Sequence, residues 1–181
     1  MADPDPAAPP ASAMRVMGFV GWSGGGKTTL LARLIPVLVG RGLRVSSIKH
    51  AHHDFDIDHP GKDSHTHRVS GATEVLVGSA RRWALIHELR DETEPTPEAL
   101  LAHLSPVDLV LIEGFKWHPH PKIEVHRPST AKALLQPHDP HIIAVASDAA
   151  LDLPVPVLPL DDIAGIARFV LAHAAPWVAA R

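Results

Sequence analysis

The 181-residue chain has no cysteine, so disulfides and thiolate metal ligands are excluded. It has no run of eighteen apolar residues, and the apolar C-terminal stretch from Ile163 to Val178 is broken by Gly165, Arg168, His173 and Pro176. This argues against a membrane span and for a core-packed helix, capped by Asp161 or Asp162. A formal net charge of -3 gives no general electrostatic reason to expect nucleic acid. The first thirteen residues carry Pro4, Pro6, Pro9 and Pro10 among alanines and lack the basic start and apolar core of a secretion signal. They read as a short disordered tail, followed by one domain from residue 14 to 181. N-K-x-D and H-E-x-x-H are both missing, so neither the usual guanine-reading motif nor a zincin site is signalled.

One motif is present in full. Gly21-Trp22-Ser23-Gly24-Gly25-Gly26-Lys27-Thr28 follows the apolar run Val16 to Val20 and leads into a helical pattern. Strand, glycine loop, lysine, hydroxyl and helix in that order predict a triphosphate site. The glycines let backbone N–H groups converge on phosphate oxygens, and the helix adds its positive end. Lys27 is expected to reach the β- and γ-phosphates, Thr28 to offer its hydroxyl to Mg²⁺, and Thr29 to approach the α-phosphate.

The remaining pattern is α/β. A helix over Lys27 to Val39 is expected to be kinked or shortened by Pro36. Strands are expected at Leu43–Ile48, Val107–Ile112, Ile123–Val125, Ile142–Ala146 and Val155–Leu158, with short helices near 62–69 and 97–104. Continuous apolar runs of this kind suit a mostly parallel sheet covered on both faces, a P-loop NTPase-like fold. Glu74 to Val77 and Trp83 to Ile86 flank Gly78-Ser79-Ala80-Arg81-Arg82 and read as a strand-pair excursion, whose edge would suit pairing with another subunit and equally internal packing. Lys122 to Arg127 alternates and reads as a partly exposed strand.

Ligands of such sheets gather at the carboxyl ends of the strands. Glu113, ending the run Leu109 to Ile112, is placed to hold Mg²⁺ or orient water, whereas Asp108 at the far end reads as structural. Lys49 and His50 follow the second strand and are candidates to face phosphate. Asp54, Asp56 and Asp58 lie beyond them as possible metal-shell carboxylates, and Lys62 and Arg68 add positive charge suited to an anion or to a solvated helix face. His50, His52, His53, His59, His65 and His67 crowd one stretch of a chain with 14 histidines, but their spacing defines no closed transition-metal set. Lys116 in Gly114-Phe115-Lys116-Trp117 is a further candidate for an anion. Asp148, after Ala144 to Ser147, has a carboxylate able to accept from the N1–H and amino group of guanine. A cap or turn is its other reading, and the residues alone leave guanine and adenine open.

The glycine loop together with Lys49-His50-Ala51-His52-His53, Asp58-His59-Pro60-Gly61-Lys62-Asp63-Ser64, Gly71-Ala72, Ile112-Glu113-Gly114-Phe115-Lys116 and Pro121-Lys122-Ile123-Glu124 resembles the molybdopterin-guanine dinucleotide biosynthesis protein B family, from about Arg15 to Phe169. The resemblance implies a cytoplasmic, GTP-binding and weakly GTP-hydrolysing accessory protein that uses Mg²⁺. It also implies a homodimer that partners the guanylyltransferase of molybdenum-cofactor synthesis and molybdopterin-bound pathway proteins. Gly21 to Thr29 would then carry the triphosphate, Lys27 and Glu113 the catalysis, Thr28 and Glu113 the metal, and Asp148 the base. A small-molecule kinase, a metallochaperone GTPase using the histidine-rich loop, and a nucleotide-dependent interaction switch are the competing readings.

Overall fold

The computed structural model describes residues 14–51 and 55–177. In chain order its elements are β1 (Arg15–Val20), α1 (Lys27–Val39), β2 (Val45–Lys49), α2 (Asp63–Val69), β3 (Glu74–Gly78), β4 (Trp83–His87), α3 (Pro97–Ala102), β5 (Leu109–Glu113), β6 (Lys122–His126), β7 (Ile142–Ser147), β8 (Val157–Pro159), α4 (Ile163–His173) and β9 (Ala175–Pro176). The described residues fall into two compact units, one of residues 14–50 and 97–177, the other of residues 51 and 55–96.

The larger unit is a parallel sheet in the order β2-β5-β1-β6-β7-β8, and the short β9 adds antiparallel to the start of β1. The period-two alternation of the apolar strands assigns their side chains to opposite faces. Leu109 and Leu111 join Met17, Phe19, Ile123, Val125 and the buried faces of α1 and α4 in one core layer, whereas Val110 and Ile112 pack with Val16, Ile48 and Leu101 of α3 in another. Helix α1 supplies Leu30, Leu31, Leu34 and Leu38, all buried, on one stripe. Pro36 lies inside this helix without ending it: α1 runs on to Val39, and the Gly40 N–H closes back on the Pro36 carbonyl at 2.8 Å. A proline three residues from the end removes only the N–H that would reach Ala32, and tertiary packing outweighs that loss.

Three further expectations are corrected. β6 is not partly exposed but buried at all five positions, because it lies between β1 and β7. Two of its polar members, Lys122 and Glu124, are satisfied internally. The Lys122 ammonium, fully buried, reaches the carbonyls of Lys116 at 2.9 Å and His118 at 2.6 Å and the Asp139 carboxylate at 2.6 Å. Glu124 accepts the N–H groups of Leu135 and Gln136 at 2.9 and 2.8 Å. The C-terminal helix stops at His173, short of the expected span, because Ala174 turns extended and Ala175–Pro176 pairs with β1; Val178 lies outside the described residues. β2 begins at Val45 and not at Leu43, since Arg44 is held by Asp108, which accepts its backbone N–H at 2.7 Å and its guanidinium at 3.2 Å. That contact gives Asp108 its structural role. Asp162, by contrast, caps α4 as expected and accepts the Gly165 N–H at 2.8 Å.

The smaller unit holds α2 and the antiparallel pair β3–β4, with Leu76 opposite Leu85 and Gly78 opposite Trp83. Arg68 on α2 is its centre, paired with Asp56 at 2.5 Å, Asp58 at 2.9 Å and Glu88 at 3.0 Å. The guanidinium holds Asp58 below the usual carboxylate range. Arg68 is thereby paired with carboxylates of its own unit, and Asp56 and Asp58, read above as possible metal-shell groups, share its guanidinium. The proline-rich tail and His52, His53 and Asp54 lie outside the described residues. Among the described residues no helix is long and apolar enough to cross a membrane.

Candidate functional site

The site lies at the carboxyl ends of β1, β2, β5, β6 and β7. Register places Phe19 and Lys49 on either side of Glu113, so three neighbouring strands deliver the glycine loop, Lys49 and Glu113 to one edge. After β1 the chain turns at Gly21 (φ 140°), Gly24 (φ 82°) and Gly26 (φ 93°). At Gly21 glycine is required twice over, by its left-handed φ and because a Cβ would stand 2.4 Å from the Val125 carbonyl of β6. The Gly25 N–H closes the turn on the Trp22 carbonyl at 3.2 Å, while Ser23 and Gly24 form the exposed tip.

No side chain caps α1. The N–H groups of its first turn, those of Lys27, Thr28 and Thr29, have no intrahelical partners and present a positive helix end at the loop. The Lys27 ammonium folds back to the carbonyls of Gly21 and Trp22 at 2.9 and 3.0 Å. Burial lowers its proton affinity; Glu113 acts in the opposite direction, and the charges of Lys116 and Lys49 lower it further. Three ammonium groups therefore share one neighbourhood with a single carboxylate, which favours a polyanion accompanied by a cation. Thr28 Oγ1 donates to Glu113 Oε1 at 2.9 Å. The two groups expected to share Mg²⁺ thus meet directly, an oxygen pair of the kind a hard divalent cation takes at a phosphate site. The donor set fits the ion.

The segment after Glu113 is shaped by strain. Gly114 (φ 98°) is followed by Phe115, also left-handed at φ 51°, a conformation costing about 1–2 kcal/mol in a non-glycine residue. The Phe115 ring stacks on His50 at 4.3 Å, and the His50 N–H donates to the Glu113 carbonyl at 2.8 Å. His50 is therefore placed beside the site with its ring face against Phe115. The next turn puts Lys116 Nζ 4.8 Å from the centre of the Trp22 ring, and the Trp22 indole N–H donates to the Ala133 carbonyl at 2.7 Å. Trp22, a loop residue that phosphate binding does not demand, is what ties Lys116 to the loop.

Asp148 lies past β7 at the same edge, but its Oδ2 accepts from Arg127 Nη1 at 2.6 Å. Arg127 is a residue that sequence reasoning did not single out. Its only signal was its place as the last residue of the alternating run Lys122 to Arg127. Among the described residues no group of three or more histidines and carboxylates is arranged to hold a metal ion.

The match to known proteins spans this whole edge. A family model described as Molybdopterin guanine dinucleotide synthesis protein B covers residues 16–148, from β1 to Asp148. The chain belongs to this family. It is 45% identical over 164 residues to the molybdopterin-guanine dinucleotide biosynthesis adapter protein of Escherichia coli K12, covering 86% of this chain and 91% of that one. It is 39% identical over 155 residues to the Haemophilus influenzae adapter protein of the same name, covering 86% of each. Among solved structures, the crystal structure of a MobB homolog from Bacillus stearothermophilus superposes with a TM-score of 0.67 at 28% identity, covering 88% of this chain and 97% of that one. A crystal structure of molybdopterin-guanine biosynthesis protein B does so at 0.66 and 30%, covering 87% and 98%. Family membership places the chain in molybdopterin-guanine dinucleotide biosynthesis as an adapter protein, and the fold is that of its structural neighbours.

Proposed function

We propose that this adapter binds GTP with Mg²⁺ at the Gly21–Thr29 loop and hydrolyses it weakly, acting as a cytoplasmic homodimer beside the guanylyltransferase that uses GTP. The observation that carries the reading is the Thr28–Glu113 contact at 2.9 Å, in the mouth of a loop whose lysine folds back on its own carbonyls. Loop amides and Lys27 would hold the β- and γ-phosphates, Lys27 exchanging the carbonyls of Gly21 and Trp22 for phosphate oxygens. Thr28 and Glu113 would hold Mg²⁺, which supplies charge neutralisation at those oxygens. In the hydrolytic step the loop amides and Lys27 stabilise charge developing on the γ-phosphate as water displaces GDP. Glu113, held by Thr28 and needed by the ion, is not available as a proton acceptor. Turnover that rests on positioning and charge alone is slow, as suits an adapter.

Homodimerisation is supported by the β3–β4 pair. An isolated two-stranded hairpin is marginal in water, and this one exposes Leu76, Val77, Trp83 and Leu85.

Calorimetric titration with GTP and ATP, with and without Mg²⁺, tests the nucleotide reading. GTP is expected to bind at least about tenfold more tightly than ATP, a difference of about 1.4 kcal/mol. Lys27→Ala should abolish binding of both, and Glu113→Gln should remove the Mg²⁺-dependent part together with phosphate release. Absence of GTP binding at millimolar concentration would refute the reading, and equal affinities would remove guanine from it.

A further inference from the structure

Arg127 has Gly26 of the phosphate loop on one side and Asp148 on the other. It is two residues beyond Val125, whose carbonyl is the wall behind the loop: a Cβ on Gly21 would lie 2.4 Å and one on Gly25 3.0 Å from that oxygen. A Cβ on Gly26, the N-cap residue before α1, would lie 3.2 Å from Arg127 Nε and 3.8 Å from Nη2. On its far side the guanidinium donates from Nη1 to Asp148 Oδ2 at 2.6 Å, both side chains being about one-third exposed. A guanidinium against the positive end of a helix, one residue from Lys27, is a like-charge juxtaposition. One exposed carboxylate offsets only part of it. The arrangement suits an anion placed between them.

Resting on the GTP reading above, we propose that Arg127 is a nucleotide ligand that clamps the α-phosphate and, on doing so, releases Asp148 to the base. The assignment follows from order along the ligand. Lys27 and the loop amides are the groups for the β- and γ-phosphates, and Asp148 is the group for the base. Arg127 lies between them, beside Gly26, where the α-phosphate and ribose must pass. Of those two only the α-phosphate bears charge, and a planar guanidinium fork matches its oxygens. Without nucleotide, Arg127 occupies one oxygen of Asp148, whereas the N1–H and 2-amino group of guanine require both. Exchange of the guanidinium from carboxylate to phosphate thus couples filling of the loop to reading of the base.

Titration of the full chain with Mg·GTP and Mg·GDP, for wild type and for Arg127→Gln, Arg127→Lys and Lys27→Ala, tests this. Because the α-phosphate is common to both nucleotides, Arg127→Gln should weaken GTP and GDP alike, by about tenfold or more. Arg127→Lys should recover only part of the loss, since an ammonium lacks the fork. The thermal midpoint without nucleotide should stay near that of wild type, because the pair is exposed; if Arg127→Gln does not fold, the lysine variant carries the same comparison. Arg127→Gln affinities within about twofold of wild type for both nucleotides would overturn the inference and leave the GTP reading standing. Loss confined to GTP would also overturn it, moving the residue to the γ-phosphate. Failure of wild type to bind either nucleotide would refute the GTP reading itself, a result distinguishable from both.

Discussion

At the scale of single residues, charge placed inside the fold is what the chain spends stability on. Lys122 is enclosed and satisfied by three acceptors, two of them carbonyls of the segment that carries Lys116. Its neighbour His120 is pushed down to about 4, chiefly by burial and then by the charges of Lys122 and His118, against the opposing pull of Asp139 and Glu98. A histidine whose folded value lies below its unfolded one binds fewer protons when folded, so its contribution is complete above about pH 6.5 and is lost as pH falls toward 4. The urea midpoint of wild type should therefore fall across that window, with His120 accounting for on the order of 3 kcal/mol. His120→Asn should flatten the decline. Parallel curves for the two proteins would show that some other group governs acid sensitivity. The site residues were legible in proportion to their dependence on local pattern. Gly21 to Thr28 and Glu113 were readable because the motif and the strand end announce them. Arg127 was not, because nothing local to His126-Arg127-Pro128 says that Gly26 and Asp148 flank it in space.

At the scale of elements, burial outweighs intrinsic preference. Helix α1 keeps its full expected length with Pro36 inside because Leu30, Leu31, Leu34 and Leu38 dock on the sheet. Leu34→Ala is expected to cost about 2–5 kcal/mol in chemical denaturation. Arg33→Ala, which breaks an exposed pair with Asp161 at 2.9 Å, should cost no more than about 1 kcal/mol. Similar losses from the two would mean that packing is not what carries this helix. The strand expectations held where apolar runs were continuous, to within a residue at β7 and with a start two residues late at β5. They failed for the environment of β6, because Lys122, Glu124 and His126 alternate with apolar residues as an exposed strand does. The partners of Lys122 and Glu124, namely Asp139, the Lys116 and His118 carbonyls and the Leu135 and Gln136 amides, let that strand be a buried one. The end of α4 was misjudged for a similar reason, since pairing of Ala175–Pro176 with β1 is a contact far along the chain.

At the scale of the whole molecule, the exposed hairpin makes a claim about assembly. Leu76 and Leu85 are register partners, and Trp83 lies next along the same face. Three large apolar side chains on one face of two strands are a surface that a second copy would cover. Leu76→Glu with Leu85→Glu is expected to convert a wild-type dimer to monomer in sedimentation velocity. A dimer that survives both substitutions would move the interface elsewhere, and a monomeric wild type would remove the homodimer from the proposed function.

The sequence by itself determined the fold class, the phosphate-loop motif and the family. Each of these depends on residue types at short spacings, where glycine conformation, helix-end charge and apolar periodicity act locally. Only the tertiary structure decided that Thr28 meets Glu113, that Lys116 rests on Trp22, that Lys122 is buried and that Arg127 joins Gly26 to Asp148. Those are contacts between strand ends distant in the chain, set by the order of strands in the sheet, which no local spacing encodes.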